Sequence, residues 1–131
     1  MHMIRKWKIV FYETAGGDCD VEQFLDSLSD ANRAKTVSWI EALEDNGPNL
    51  PRPYADLLED GIHELRVKLS GGQYRILYFF CRGDFIVLTH SLRKLTSEID
   101  KAEIRKAKSA RADVLKRYTL QMLHEMTDED V

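Results

Sequence analysis

The sequence predicts an α+β domain, with a small, mainly antiparallel four-stranded sheet, an N-terminal helical hairpin on one side and a basic C-terminal helix. Three observations predict it. Two β-patterned runs, 62–69 and 73–80, flank Ser70-Gly71-Gly72. Two apolar repeats at helical spacing stand between an early strand-like run and that pair. Residues 100–118 are dominated by Ala, Lys, Arg, Glu and Leu, a strongly helical composition.

In order, Lys6-Trp7-Lys8-Ile9-Val10-Phe11-Tyr12 is short and rich in aromatic and β-branched residues, the pattern of a first strand. After Gly16-Gly17, Val21, Phe24, Leu25 and Leu28 recur at helical spacing, with Asp18 or Asp20 placed to cap. A second helix starts at Ser29 or Asp30, carries Ala31, Ala34, Val37, Ile40 and Leu43 on one stripe with Trp39 beside it, and stops at Asn46-Gly47-Pro48. Pro51 and Pro53 exclude regular structure there, and residues 54–61 read as a loop or single turn. A last strand is expected over Phe85–His90, and Asp100 caps a helix whose thin apolar stripe runs Ile104, Ala107, Ala110 or Arg111, Val114 and Leu115.

A chain of 131 residues is one domain by length. Residues 1–118 read as that domain, and 119–131 as an acidic tail or a helix extension. Met1-His2-Met3-Ile4-Arg5-Lys6 leads directly into the first strand without a signal-peptide pattern, and no apolar run is long enough for a membrane span, so a cytoplasmic protein is expected. Cys19 and Cys81 are far apart and form no CxxC pair, and no carboxylate and histidine set has ligand spacing, so neither metal nor cofactor is expected.

The net charge of −3 conceals a segregation. Residues 1–61 hold six Lys/Arg against twelve Asp/Glu, residues 62–118 thirteen against six, and residues 119–131 none against four. A basic middle between acidic ends points to a local anion-binding surface.

Within 62–69, His63, Leu65, Val67 and Leu69 face one way and Glu64, Arg66 and Lys68 the other. With Gly71-Gly72 as a two-residue loop, Lys68 falls opposite Arg75, Arg66 opposite Leu77, and Leu65 opposite Tyr78. Two like charges directly opposite each other are destabilising unless an anion or a carboxylate sits between them. With Gly83-Asp84 as the next loop, His90 pairs with Leu77 and joins Arg66, Lys68 and Arg75 on one face; a three-residue loop instead turns the strand over and removes it. With Glu64 beside them, the same cations also fit an ordinary solvated face. Tyr74, Tyr78, Phe79 and Phe80 read as core.

The element order, together with His63-Glu-Leu-Arg-Val-Lys-Leu69 and Tyr74-Arg-Ile-Leu-Tyr78, resembles the RelE/ParE toxin superfamily, and more closely its phage-derived Gp49-like or HigB branch of toxin–antitoxin toxins. The resemblance runs from Lys8 to Leu115 and is densest over 53–104. Where that family reads Gly-Phe-x-Lys-Lys-Thr and then a helix-entering Pro, this chain has Ser91-Leu92-Arg93-Lys94-Leu95-Thr96 and Asp100.

The resemblance implies an mRNA interferase that cleaves mRNA, free or on the ribosome, and that a helix-turn-helix antitoxin neutralises. By position, Arg66, Lys68 and Arg75 match the family's strand cations, and Arg93 and Lys94 its basic residues after the last strand. His90, with Tyr118 as second candidate, would complete the site. Metal-free cleavage by 2′-hydroxyl attack needs cations around the phosphate and a proton-transfer group. Arg75 suits a bidentate phosphate clamp, Arg66 and Lys68 add electrostatic stabilisation, and His90 suits proton transfer. The other class in play is non-catalytic: a ParE-like gyrase inhibitor or an RNA-binding module on the same fold.

Overall fold

The chain folds as α+β, and its described residues form one strand more than the four expected. The computed structural model describes residues 7–127. Met1–Lys6 and Asp128–Val131, the leading segment and the end of the expected acidic tail, lie outside the described residues. The elements are β1 (Lys8–Phe11), α1 (Asp20–Ser27), α2 (Asp30–Asn46), β2 (Ala55–Glu59), β3 (Ile62–Leu69), β4 (Gly72–Cys81), β5 (Phe85–Arg93), α3 (Lys101–Arg117) and α4 (Leu120–Thr127). The sheet order is β1-β5-β4-β3-β2; β1 runs parallel to β5 and every other pair is antiparallel. No helix among the described residues is long and apolar enough to cross a membrane.

Strand alternation divides the apolar residues between the two faces of the sheet. Leu65, Val67, Leu69, Ile76, Tyr78, Ile86 and Leu88 pack with Val21, Leu25, Ile40 and Leu43 of the helical hairpin. Ile62, Leu77, Phe79, Phe85 and Val87 pack with Ile104, Ala107 and Val114 of α3 and Leu123 of α4. Tyr78 and Phe79 are buried, and Tyr74 and Phe80 pack against the hairpin-side core, as their pattern predicts.

Residues 55–59, expected as loop, form an edge strand on β3, with an irregularity between Leu57 and Glu59. The signal was present as Asp60-Gly61, whose positive φ values of 50° and 77° make the two-residue hairpin turn that Asp-Gly favours. It was obscured because Ala-Asp-Leu-Leu-Glu lacks β-branched residues and its central Leu57 is exposed, as an edge position allows.

The β3–β4 register differs from expectation by two residues. The loop is Ser70-Gly71, so Leu69 pairs with Gly72, Lys68 with Gln73, Arg66 with Arg75 and Leu65 with Ile76. A shift of two preserves both faces, so hydrophobic alternation cannot distinguish the registers and the turn decides. Gly71 takes the turn's positive φ of 95°. Gly72 sits in the strand, where a Cβ would meet the Arg93 guanidinium at 3.0–3.3 Å.

The next loop has three residues, since Cys81 pairs with Phe85, the case expected to turn His90 away. A bulge at Thr89 corrects it: the register shifts between Leu77 and Tyr78, and His90 still pairs with Leu77 on the α3 side.

Ser29 caps α2 by accepting from the Asn32 amide at 3.2 Å, and Asp100 caps α3 by accepting from Ala102 at 2.8 Å. Neither Asp18 nor Asp20 caps α1; its N-cap is Cys19, and Asp20 instead accepts from Ser91 N and Oγ at 2.8 and 3.0 Å, beyond the end of β1. On α2 the buried stripe is Thr36, Ile40 and Leu43, and Val37 is exposed. Thr36 tolerates burial because its hydroxyl donates to the Asn32 carbonyl at 2.9 Å.

Candidate functional site

The odd feature of β3 and β4 is buried charge. Arg75 is 4% exposed and Glu64 is equally buried, on the face that α3 covers. Arg75 Nε donates to Glu64 Oε1 at 2.9 Å, and its Nη1 donates to the Tyr74 carbonyl at 3.1 Å. The other carboxylate oxygen of Glu64 accepts from Arg66 Nε and Nη2 at 3.2 and 3.1 Å. One carboxylate therefore holds two arginines whose backbones are directly opposed. Burial pulls Arg75 below the ordinary arginine value, with Glu64 opposing and Arg66 adding to the pull. Arg66 Nη2 also reaches Asp56 on β2 at 3.4 Å, and Arg52 Nε reaches the same carboxyl at 3.0 Å. Burial pushes Asp56 up, but the bond from Arg52 and the two guanidinium charges outweigh it and hold the carboxyl below its usual range.

This cluster floors a cleft of about 530 Å³, lined by Lys35 and Trp39 of α2, Pro53 and Tyr54 before β2, Arg66, Val67 and Lys68 of β3, Gln73 and Arg75 of β4, and Lys94 after β5. Of the ten described residues that line it, five are cationic and none is acidic. Among the described residues, Lys35, Lys68 and Lys94 make no ion pair, so their charge is available to an incoming anion. Lys94 also borders a second hollow of about 350 Å³ shared with Glu64, Arg66 and Lys101. Trp39 and Tyr54 stack on one another with ring centroids 4.8 Å apart and planes 25° apart.

The structure thus brings together Arg66, Lys68, Arg75 and Lys94. Arg93 is turned aside: its Nη2 donates to the Gly71 carbonyl at 2.7 Å, pinning the β3–β4 turn. His90 keeps the expected register but lies outside the cleft, 2% exposed under α3. Its Nε2 lies 2.9 Å from Glu103 Oε1 and its Nδ1 3.0 Å from Thr89 Oγ1. Both ring nitrogens are thus engaged within the fold, and the Thr89 hydroxyl also donates to the Leu77 carbonyl at 3.3 Å. Burial holds His90 below the usual histidine value, Lys106 adds to that, and the Glu103 bond and charge oppose it. Tyr118 is buried, its hydroxyl donating to the Glu13 carbonyl at 2.8 Å and accepting from the Glu13 amide at 3.0 Å.

The basic face of α3 is partly consumed within the fold. Lys108 pairs with Glu59 at 2.7 Å and Lys101 with the same carboxylate at 3.5 Å, while Arg111 Nη1 donates to the Asp60 carbonyl at 2.6 Å. These cations clamp α3 to the β2–β3 turn. Sequence reasoning missed Lys35, Trp39 and Tyr54 as cleft residues. Their only sequence signals were an aromatic lying off the helix's apolar stripe, a lysine one turn before it, and a tyrosine following Pro-Arg-Pro.

The sequence matches the family model described as Phage derived protein Gp49-like (DUF891) over residues 23–112, a span that includes every residue lining the cleft. A search of curated proteins finds no significant match. With more than half of its length matched, the chain belongs to the phage-derived Gp49-like family of RelE/HigB-like toxins, which points to a toxin of a toxin–antitoxin system with a cognate antitoxin as partner.

Proposed function

We propose that the protein is a metal-independent endoribonuclease acting on mRNA, free or on the ribosome, in the cytoplasm, and that a helix-turn-helix antitoxin neutralises it. The observation that carries this reading is the cleft's composition: among the described residues, five cations and no carboxylate line it, over a cluster in which buried Glu64 joins buried Arg75 to half-buried Arg66. The 2′-oxygen attacks the adjacent phosphorus, the bond to the 5′-oxygen breaks, and a 2′,3′-cyclic phosphate and a 5′-hydroxyl result. Negative charge grows on the non-bridging oxygens as this happens, and cations fixed in advance stabilise it without reorganising.

Arg66 and Arg75 supply that stabilisation from the floor, held in place by Glu64. Lys68, exposed and without a carboxylate partner, donates a proton to the departing 5′-oxygen, while water in the open cleft takes the proton from the 2′-hydroxyl. Lys94 and Lys35 hold flanking phosphates. His90 takes a structural role, tying β5 to α3 through Glu103, and Arg93 anchors the hairpin turn.

The test incubates the purified full chain with mRNA, with and without ribosomes, and separately with supercoiled DNA and gyrase. Fragments ending in 2′,3′-cyclic phosphate, formed far more slowly with Lys68→Ala and Arg75→Ala, are the expected result. Intact RNA together with inhibited gyrase overturns the reading in favour of a ParE-like inhibitor.

A further inference from the structure

The cleft contains more than a phosphate site requires. Its lining also includes the stacked pair Trp39 and Tyr54. Trp39 packs against the hairpin-side core, but Tyr54 is outside that cluster and 41% exposed. One face of the Tyr54 ring is covered by Trp39, so its exposure lies on the other face and the edge. A phenol left this open has a surface that neither the core nor a hydrogen bond accounts for.

The position of this ring is fixed by the sheet. The Arg66 amide donates to the Tyr54 carbonyl at 2.8 Å, which sets the Tyr54 main chain one inter-strand spacing, about 4.8 Å, from that of Arg66, and both side chains line the cleft. Pro53 immediately before it restricts the backbone on that side. A flat apolar surface beside a cluster of fixed cations matches a nucleotide, whose base stacks while its phosphate pairs with guanidinium and ammonium groups. The volume of about 530 Å³ falls within the range of small-ligand sites.

We propose that the Trp39–Tyr54 step is a nucleobase-stacking subsite, with Tyr54 as the contact surface and Trp39 as its backing. It seats one unpaired base of single-stranded RNA next to the phosphate held by Arg66 and Arg75. The proposal rests on the RNA-cleaving reading above and deepens it by naming a residue that positions the substrate. Stacking tolerates any base, so the subsite sets strand geometry and a preference for unpaired RNA, not a fixed sequence.

The experiment measures binding of the full chain to a 2′-O-methyl RNA decamer, which cannot undergo 2′-oxygen attack, and to a set of the same decamers each lacking one base. Tyr54→Ala is expected to weaken binding roughly 5- to 150-fold, with Tyr54→Phe close to wild type and the salt dependence unchanged, because stacking involves no counterion release. Removing the base at one position is expected to weaken wild type by a similar factor and to leave Tyr54→Ala unaffected. Thermal unfolding of each variant verifies that it is folded. The wild-type series needs no substitution, so it decides the matter even if a variant fails to fold. Equal affinity of wild type for every abasic decamer, or of Tyr54→Ala and wild type for the intact one, overturns the subsite and leaves the cleavage reading standing. Failure of wild type both to bind the decamer and to cleave RNA overturns both.

Discussion

Arg66 and Arg75 stand directly opposite each other on β3 and β4, and the carboxylate of Glu64 accepts from both. Opposed like charges on a sheet repel. Here the repulsion is relieved by a side chain two residues earlier on the same face of β3. The carboxylate fixes both guanidinium groups without neutralising the network: with Asp56 and Arg52, which Arg66 links to it, three positive charges face two negative, so the site is pre-organised and still cationic.

Because Arg75 and Glu64 side chains are only 4% and 6% exposed, removing one strands the other. Glu64→Ala is expected to lower the unfolding free energy by about 3–5 kcal/mol, the usual cost of leaving a buried charge unpaired. Urea denaturation checks this as a fall in midpoint with an unchanged slope. A loss below about 1 kcal/mol would mean that Arg75 reaches solvent once released.

Lys68 is the contrasting case, exposed and outside any ion pair among the described residues. Lys68→Ala should leave stability within about 0.5 kcal/mol of wild type. Its RNA cleavage rate should fall by about 10²–10³-fold, as for loss of one transition-state donor. Single-turnover cleavage beside a denaturation curve separates the two effects.

Arg93 and Lys94 are adjacent in sequence but differ in use, because one guanidinium is bonded to the Gly71 carbonyl and the other side chain lines the cleft. Lys94→Ala is expected to reduce the slope of log affinity against log salt for RNA by about 0.7, one single-strand phosphate contact. Arg93→Ala should leave that slope unchanged. Binding titrations across a salt series distinguish them.

His90 and His63 both have depressed values in the fold: burial dominates for each, with Glu103 opposing at His90 and Asp56 at His63. The unfolded chain holds these imidazoles at about 6.5 and so binds more protons than the native state just below neutrality. Stability is therefore expected to be full above that value and to decline as pH falls through it, until the native histidines protonate as well. Denaturation midpoints between pH 7.5 and 5 check the decline, and His90→Gln should flatten part of it.

The fold class, the helical hairpin, the Ser29 and Asp100 caps and the grouping of Arg66, Lys68 and Arg75 on one sheet face were legible in the sequence. Each depends on a period or a side chain acting within a few residues, and period two alone fixes which face a strand residue occupies. Edge strand β2 was legible in principle through Asp60-Gly61, but its lack of β-branched residues masked the turn signal.

Everything that depends on distance between strands was decided by the tertiary structure. Registers differing by two residues bury the same side chains, so only the packing of Arg93 over Gly72 and the turn at Gly71 set Arg66, and not Lys68, opposite Arg75. A bulge at Thr89 offsets the three-residue loop and returns His90 to the α3 face, and the docking of α3 then buries it against Glu103, outside the cleft. Lys35, Trp39 and Tyr54 reach the cleft because α2 and the segment before β2 converge on β3 from separate parts of the chain. The sequence by itself determined the chemical character of this surface, a cationic strand face on an apolar sheet. The packing of helices and turns against that sheet determined which of its cations remain open to an anion.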